Sequence, residues 1–389
     1  MKKKTIILIF SVLIIPVSVF ANDTAKSSIV IDLNSGRTLY EKNSDEKRLI
    51  ASITKIMTAI LTIENGILED KVEVGTEILN MYGTNIYLEV GEEISIRDLL
   101  YGLILRSGND ASVVLAKYIG GTEKEFIELM NEKAKQIGMA NTTFSNPHGL
   151  DDDTKNYSTA RDMSILSKYA YQNKTYRKIA STKTYKTRTN KKNYIWNNRN
   201  KLLSKYEFCT GGKNGYTPTA GKTLITTSKK NNLELSAVTL NDSDTYNNHY
   251  RLYEEIYKKY RQYTIIDKDK FKFSTALGNT KNLYLTQSFT YPLTEKEFDL
   301  IKIKIEVIDE KNRISNKIGK VIIFLNEETI GNLNIYEKKE KAKTFSLKKS
   351  GNYFLEILKK LKLGLQNNLK PGLVVPIPLD TNNLAAPIL

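Results

Sequence analysis

The segment 51-ASITKIMTA-59 places a hydroxyl, Ser52, and an amine, Lys55, three residues apart at the head of a run that is otherwise mostly apolar. In residues 53–65, ITKIMTAILTIEN, apolar side chains recur at Ile56, Ala59, Ile60 and Ile63, the spacing of a helix with one buried face, and Gly66 supplies its stop. Positions three apart on a helix are neighbours, with Cβ atoms about 5–6 Å apart, so the amine can reach the hydroxyl. A serine is a poor nucleophile until its proton is taken. A lysine takes it only when burial or a nearby cation lowers its pKa toward neutrality. Ile50, Ala51, Ile53, Ile56 and Met57 offer that burial. A serine at a first helical turn also carries its own amide among the unsatisfied donors there, ready to meet an oxyanion.

The flanking segments alternate between strand and helix. SSIVIDLNSGRTLYEKN (27–43) predicts a hairpin turning at Asn34, Ser35 and Gly36. Residues 94–120 predict two helical stretches parted at Ser107-Gly108-Asn109, and EKEFIELMNEKAKQIG predicts an amphipathic helix stopped at Gly138. TTFSNPHGLDDD is loop chemistry. From Cys209 the pattern turns to strands: CTGGKNGYT, then KTLITTSKKNNLELSAVTL, a hairpin turning at KKNN. Strands at both ends with helices between them imply one mixed α/β domain whose sheet joins its first and last segments, closed by a helix over 250–263.

Serine-x-x-lysine alone is a weak signal, and it recurs at Ser44–Lys47 and Ser346–Lys349 in charged contexts. What distinguishes Ser52 is the company of Ser107-Gly108-Asn109 in a helix break and Lys213-Asn214-Gly215 on a predicted strand. The ordered set ASITKIMTA, RSGNDA, FSNPHGL and GGKNGYTPTAGKTL resembles the low-molecular-mass penicillin-binding proteins, the serine-type D-alanyl-D-alanine carboxypeptidases, over about residues 25–262. The resemblance implies a β-lactamase/transpeptidase-like α/β domain: an antiparallel sheet with helices on both faces plus a helical cluster. It implies Ser52 as nucleophile, Lys55 as its base and Ser107 as proton relay. Asn109, Lys213, Asn214, Gly215, Tyr216 and Thr217 would bind substrate, with Lys213 near its terminal carboxylate and the amides of Ser52 and Tyr216 as oxyanion hole. Peptidoglycan stem peptides are the implied substrate and β-lactams the implied covalent inhibitors, with no cofactor and no metal. Two departures stand out: Asn214 replaces the family's usual Thr or Ser, and no arginine after the strand pair is a clear carboxylate ligand, Arg251 being merely nearby.

Three other readings compete. A class A β-lactamase needs a glutamate after the second motif, and no E-x-x-L-N lies between Asn109 and Lys213. A Ser-His-Asp hydrolase needs a G-x-S-x-G elbow, which accompanies neither His148 nor His249; His148 reads as a hydrogen-bonding loop residue. A catalytically impaired wall-binding scaffold would have Asn214 as its lesion.

The 389 residues leave room for two or three domains. Residues 1–21, three lysines and then an apolar stretch ending at Val19 and Ala21, read as a signal peptide, the apolar run being short for a span. One cysteine, Cys209, excludes an internal disulfide and reads as a small core residue beside the third motif, where thiol reagents could impair activity; two histidines make a histidine-rich metal site improbable. A net charge of +16, spread without an arginine-rich stripe or nucleic-acid module, suits anionic headgroups and wall polymers rather than nucleic acid. The expected organisation is a catalytic domain over 22–263, a small all-β domain over 264–345, and a basic amphipathic helix over 346–370 suited to an anionic membrane surface. Residues 371–389 carry no assignable pattern. The expected location is the outer face of a bacterial cytoplasmic membrane, or the cell wall.

Overall fold

The computed structural model describes residues 23–273, 282–308, 313 and 315–338. The expected signal peptide, the amphipathic helix and the final tail lie outside the described residues. The chain divides into two compact units, the second formed by Ile256 onward together with Asp32–Arg37 and Lys229–Glu234.

The first unit is built on a five-stranded antiparallel sheet. The expected hairpin is present as Ala25–Asp32 and Thr38–Lys42, and the third-motif region supplies Cys209–Thr217, Gly221–Lys230 and Leu233–Asp242. In spatial order these run Thr38–Lys42, Ala25–Asp32, Leu233–Asp242, Gly221–Lys230 and Cys209–Thr217, so the first and last segments do meet in one sheet. Cys209–Thr217 is therefore an edge strand, and Lys213 pairs with Ile225, Gly215 with Thr223.

The helices between the strands bury one continuous core. Lys55–Asn65 contributes Ile56, Met57, Ala59, Ile60 and Leu61 to it, and Asn109–Gly120 contributes Ala111, Val114, Leu115 and Ala116. Glu123–Ile137 starts at a Thr122 cap and ends at Gly138 in a left-handed conformation, as its sequence requires. Two further helices, Ala160–Gln172 and Lys174–Ser181, and a hairpin of Thr184–Arg188 with Asn193–Asn197 occupy a region whose pattern predicts nothing firm. The hairpin seats Tyr185 face to face on Tyr101, with ring centroids 3.6 Å apart, and buries Tyr194 and Trp196 beside it.

The closing helix differs from its predicted bounds. It spans Thr245–Lys259, and Arg261–Ile266 is a strand paired with Phe289–Leu293. Arg261 explains the stop, because its guanidinium donates to the carbonyls of Tyr257 (2.5 Å), Lys258 (3.3 Å) and Tyr260 (3.0 Å), the groups a longer helix would satisfy itself.

In the second unit a four-stranded antiparallel sheet orders Leu283–Leu285, Glu328–Glu337, Lys317–Leu325 and Ile301–Val307. Its core gathers Leu285, Ile305, Val321, Ile323, Leu333 and Ile335. Beyond Lys259 its described regular structure is β, as the alternating sequence predicts, apart from one short helical turn at Glu295–Phe298.

Candidate active site

Ser52 sits in a 3-10 turn, Ala51–Thr54, that runs directly into the helix starting at Lys55. Ala51 ahead of it has φ +48°, a left-handed turn that a non-glycine residue adopts at a cost. Lys55 is wholly buried. Its Nζ lies 3.1 Å from Ser52 Oγ, 2.7 Å from Asn109 Oδ1 and 2.5 Å from the His148 carbonyl. Burial is the chief force on this amine and brings its pKa down to about 7; Asp110 pulls it upward and Arg199 pushes it down.

That coordination dictates where the amine's lone pair goes. Oδ1 of Asn109 and the His148 carbonyl can only accept, so they take the two hydrogens of a neutral amine. The lone pair is left for the third neighbour, the Ser52 hydroxyl.

The second motif arrives through a distorted helix. Ile96–Tyr101 continues into a π-wound turn, Gly102–Arg106, and Ser107 follows with φ +67° before Asn109 opens the next helix. Such π-turns and left-handed residues concentrate at functional sites, and here they bring Ser107 and Asn109 to bear together. The Asn109 side chain is fixed at both ends, its Nδ2 donating to the Tyr82 carbonyl at 2.7 Å. Asp110 secures the segment that follows Tyr82 by accepting from the amides of Ile86 (3.0 Å) and Leu88 (3.1 Å), while it also accepts from the Ala111 amide in its own helix (2.8 Å).

The third motif closes the site. Lys213 is also buried, and its Nζ donates to Ser107 Oγ at 3.0 Å and to the Asn214 carbonyl at 2.6 Å. Burial holds its pKa well below the ordinary lysine value, assisted by the charges of Lys55 and Arg199. Gly215 lets the edge strand pass against the nucleophile, since a Cβ there would stand 2.7 Å from Ser52 N and 2.5 Å from Thr223 Oγ1. Tyr216 is exposed, Asn214 is half-buried, and the Thr217 hydroxyl is occupied, donating to Asp151 Oδ2 at 2.6 Å.

The FSNPHGL loop contributes through its backbone, which has no side-chain signature of its own. Asn146 and Asn156 build the FSNPHGL loop: Asn146 Oδ1 accepts from the amides of His148 (3.2 Å) and Gly149 (2.6 Å), while Asn156 Nδ2 donates to Thr54 Oγ1 (3.0 Å). The outcome is a backbone carbonyl aimed at Lys55. The His148 ring accepts from Leu150 N through Nδ1 at 3.1 Å, making it the hydrogen-bonding loop residue expected, and burial lowers its pKa to about 3, which keeps it neutral. Arg199 was not anticipated. Its guanidinium donates to Thr84 Oγ1 at 2.9 Å and its charge reaches both lysines, whereas Arg251 is held by Asp244 at 3.3 Å. Among the described residues no group of carboxylates, histidines and cysteine has the arrangement of a metal site.

The sequence profile of the D-alanyl-D-alanine carboxypeptidases, peptidase family S11, matches residues 17–244. The chain belongs to this family. It is 35% identical over 308 residues to the D-alanyl-D-alanine carboxypeptidase DacF of Bacillus subtilis, an alignment covering 76% of this chain and 79% of that one. To DacC of Escherichia coli it is 37% identical over 228 residues, covering 56% of each. Among solved structures, penicillin-binding protein 5 from Haemophilus influenzae superposes with a TM-score of 0.67 at 27% identity, covering 82% of this chain and 97% of the other. The protein is thus a serine-type D-Ala-D-Ala carboxypeptidase with the β-lactamase-like α/β fold of the penicillin-binding proteins.

Two predictions arise from this carboxypeptidase site. Gly149 has φ +87° and its Cβ position drives into the Ala51 carbonyl, 3.0 Å from Ser52 N. Gly149→Ala should therefore destabilise the fold by about 2 kcal/mol and slow acylation with it, read by thermal melting and penicillin labelling of the same sample. Cys209 is buried, and burial pushes its thiol up to about 11. Thiol reagents at pH 7 should leave activity intact over the time that labels a free thiol; loss of activity that Cys209→Ser abolishes would contradict this.

Proposed function

We propose that the enzyme is exported and removes the terminal D-alanine of peptidoglycan stem peptides through an acyl-enzyme on Ser52, and that penicillins acylate the same oxygen. The observation that carries this reading is the coordination of Lys55, whose two obligate acceptors leave its lone pair to the Ser52 hydroxyl. Ser52 Oγ attacks the carbonyl of the penultimate D-alanine while Lys55 takes its proton. The oxyanion forms beside the Ser52 amide and the edge strand at Tyr216. Ser107, bonded to Lys213, delivers a proton to the departing D-alanine amine, and water then releases the shortened peptide.

A substrate carboxylate near Lys213 would restore that lysine's proton by opposing the desolvation that depresses its pKa. Arg199 supplies the further positive charge for which the segment after the strand pair offers no clear arginine, and the Asn214 amide can still donate in place of a hydroxyl. The Thr217 hydroxyl, engaged by Asp151, supports the end of the strand and leaves substrate contact to its backbone.

Export on residues 1–21, adsorption to an anionic membrane surface through 346–370, and the division into a catalytic domain over 22–263 and an all-β domain over 264–345 are inferred from sequence pattern. Among the described residues no helix is long and apolar enough to cross a membrane. The test is mass spectrometry of the protein after benzylpenicillin treatment, paired with D-alanine release from a pentapeptide. The expected result is one penicilloyl adduct on the peptide containing Ser52 and release of one D-alanine per pentapeptide. An adduct on another residue, or no D-alanine release by folded protein, would overturn the reading.

A further inference from the structure

The positive charge of this chain is not evenly distributed. From Met163 through Tyr206 there are twelve lysines and arginines and no aspartate or glutamate, a large part of the whole-chain excess of +16. The stretch contains the hairpin Thr184–Arg188 and Asn193–Asn197, a two-stranded sheet with one face turned inward onto the core. The inward face carries Tyr185, Thr187, Tyr194 and Trp196, and the outward face carries Lys186 and Arg188, opposite Ile195 and Asn193.

The carboxylates that meet this hairpin do so from beneath or at its tip. Asp98 accepts from the Tyr185 hydroxyl (2.7 Å), Glu92 from the Tyr194 hydroxyl (2.8 Å), and Glu89 pairs with Lys192 (2.9 Å). Lys186 and Arg188 are exposed, as are Lys183 just before the strand and Lys191 in the turn after it. Among the described residues none of these four has a carboxylate partner in an ion pair. Lys186 and Arg188, alternate residues on the strand, stand about 7 Å apart on its outward face, and Lys183 and Lys191 flank them with further positive charge. Lysines on edge strands also discourage unwanted pairing, but one or two suffice for that. It does not account for an acid-free stretch of this length.

We propose that the outward face of this hairpin docks a linear polyanion of the wall, a chain of polyol units joined by phosphodiesters. Two features select this partner. Ile195, 63% exposed, is the one large apolar side chain on the outward face, and a lipid surface calls for an apolar face to bury. Nucleic-acid strands call for aromatic platforms, and the aromatic rings of this hairpin all point inward. A flexible phosphodiester chain needs only regularly spaced cations on a rigid support. The partner's identity rests on the proposed location outside the cell. The binding itself is read independently of peptidase activity.

The test compares the full mature chain with a Lys186→Glu, Arg188→Glu, Lys191→Glu variant, and with the three residues changed to Gln as a milder alternative. Affinity for purified poly(ribitol phosphate) is measured over a series of salt concentrations, beside binding to vesicles containing phosphatidylglycerol and D-alanine release from a soluble pentapeptide. The expected result is at least a ten-fold loss of polymer affinity at low salt and a shallower salt dependence, with peptide hydrolysis, melting temperature and vesicle binding unchanged. Polymer affinity within two-fold of wild type in either folded variant would overturn the proposal. So would a loss confined to the vesicles, which would assign the face to lipid.

Discussion

Ser52→Ala is expected to lower kcat/KM on a D-Ala-D-Ala peptide by roughly 10⁴-fold or more and to abolish covalent labelling by fluorescent penicillin. No other group can take its place. Ser107 is committed to Lys213, and the Cys209 thiol is buried and protonated at neutral pH. The substitution should leave the fold intact, because Lys55 keeps its two carbonyl-type acceptors and no buried group loses its only partner. Penicillin labelling that survives in the folded variant would show that the nucleophile lies elsewhere.

Lys55→Met is expected to cost about as much, and the double variant little more than either alone, since the two side chains act as one unit. The wild-type acylation rate should rise with pH through an inflection near 7, where the buried amine loses its proton, and that limb should vanish from the residual activity of the variant. Stability should follow the same group. Because its folded pKa lies below the ordinary lysine value of 10.5, the unfolded chain binds more protons between about pH 7 and 10.5, so stability climbs across that window. For Lys55 alone the climb amounts to roughly 5 kcal/mol, at 1.36 kcal/mol per pKa unit. Lys213 adds in the same direction, and Lys55→Met should flatten the curve without removing it. A wild-type rate independent of pH between 6 and 8 would contradict a lysine base.

The sequence was legible where chemistry needs a particular side chain. Ser52 and Lys55 are identifiable by residue type and spacing, and Ser107, Asn109 and Lys213 by the family resemblance that their motifs carry; the structure gathers them around two buried amines. It was illegible where the working atom belongs to the backbone. The His148 carbonyl has no signature, although the Asn146 and Asn156 amides that shape its loop stand in plain view. Arg199 was hidden for a different reason, because one arginine in an acid-free, lysine-rich stretch looks like its neighbours until folding brings it near the two amines. The same composition obscured the hairpin at Thr184–Asn197, whose outward lysines mask the inward alternation of Tyr185, Tyr194 and Trp196. The end of the helix at Lys259 depended on a cap by Arg261, an interaction that periodicity does not report.

The third-motif strand lies at the margin of its sheet, with no described strand on its outer side; its Gly211 carbonyl accepts from Asn200 and its Asn214 carbonyl from Lys213, and the stretch beyond, at Gly215 and Tyr216, is where a ligand could come alongside. Such a margin is also where folded chains stick to one another. This strand carries three glycines, Gly211, Gly212 and Gly215, within nine residues, a composition poorly suited to zipping up with a long neighbour. In the proposed mechanism a short ligand would need only a few backbone groups there, so the same margin that would admit a guest peptide is a poor template for the enzyme's own copies.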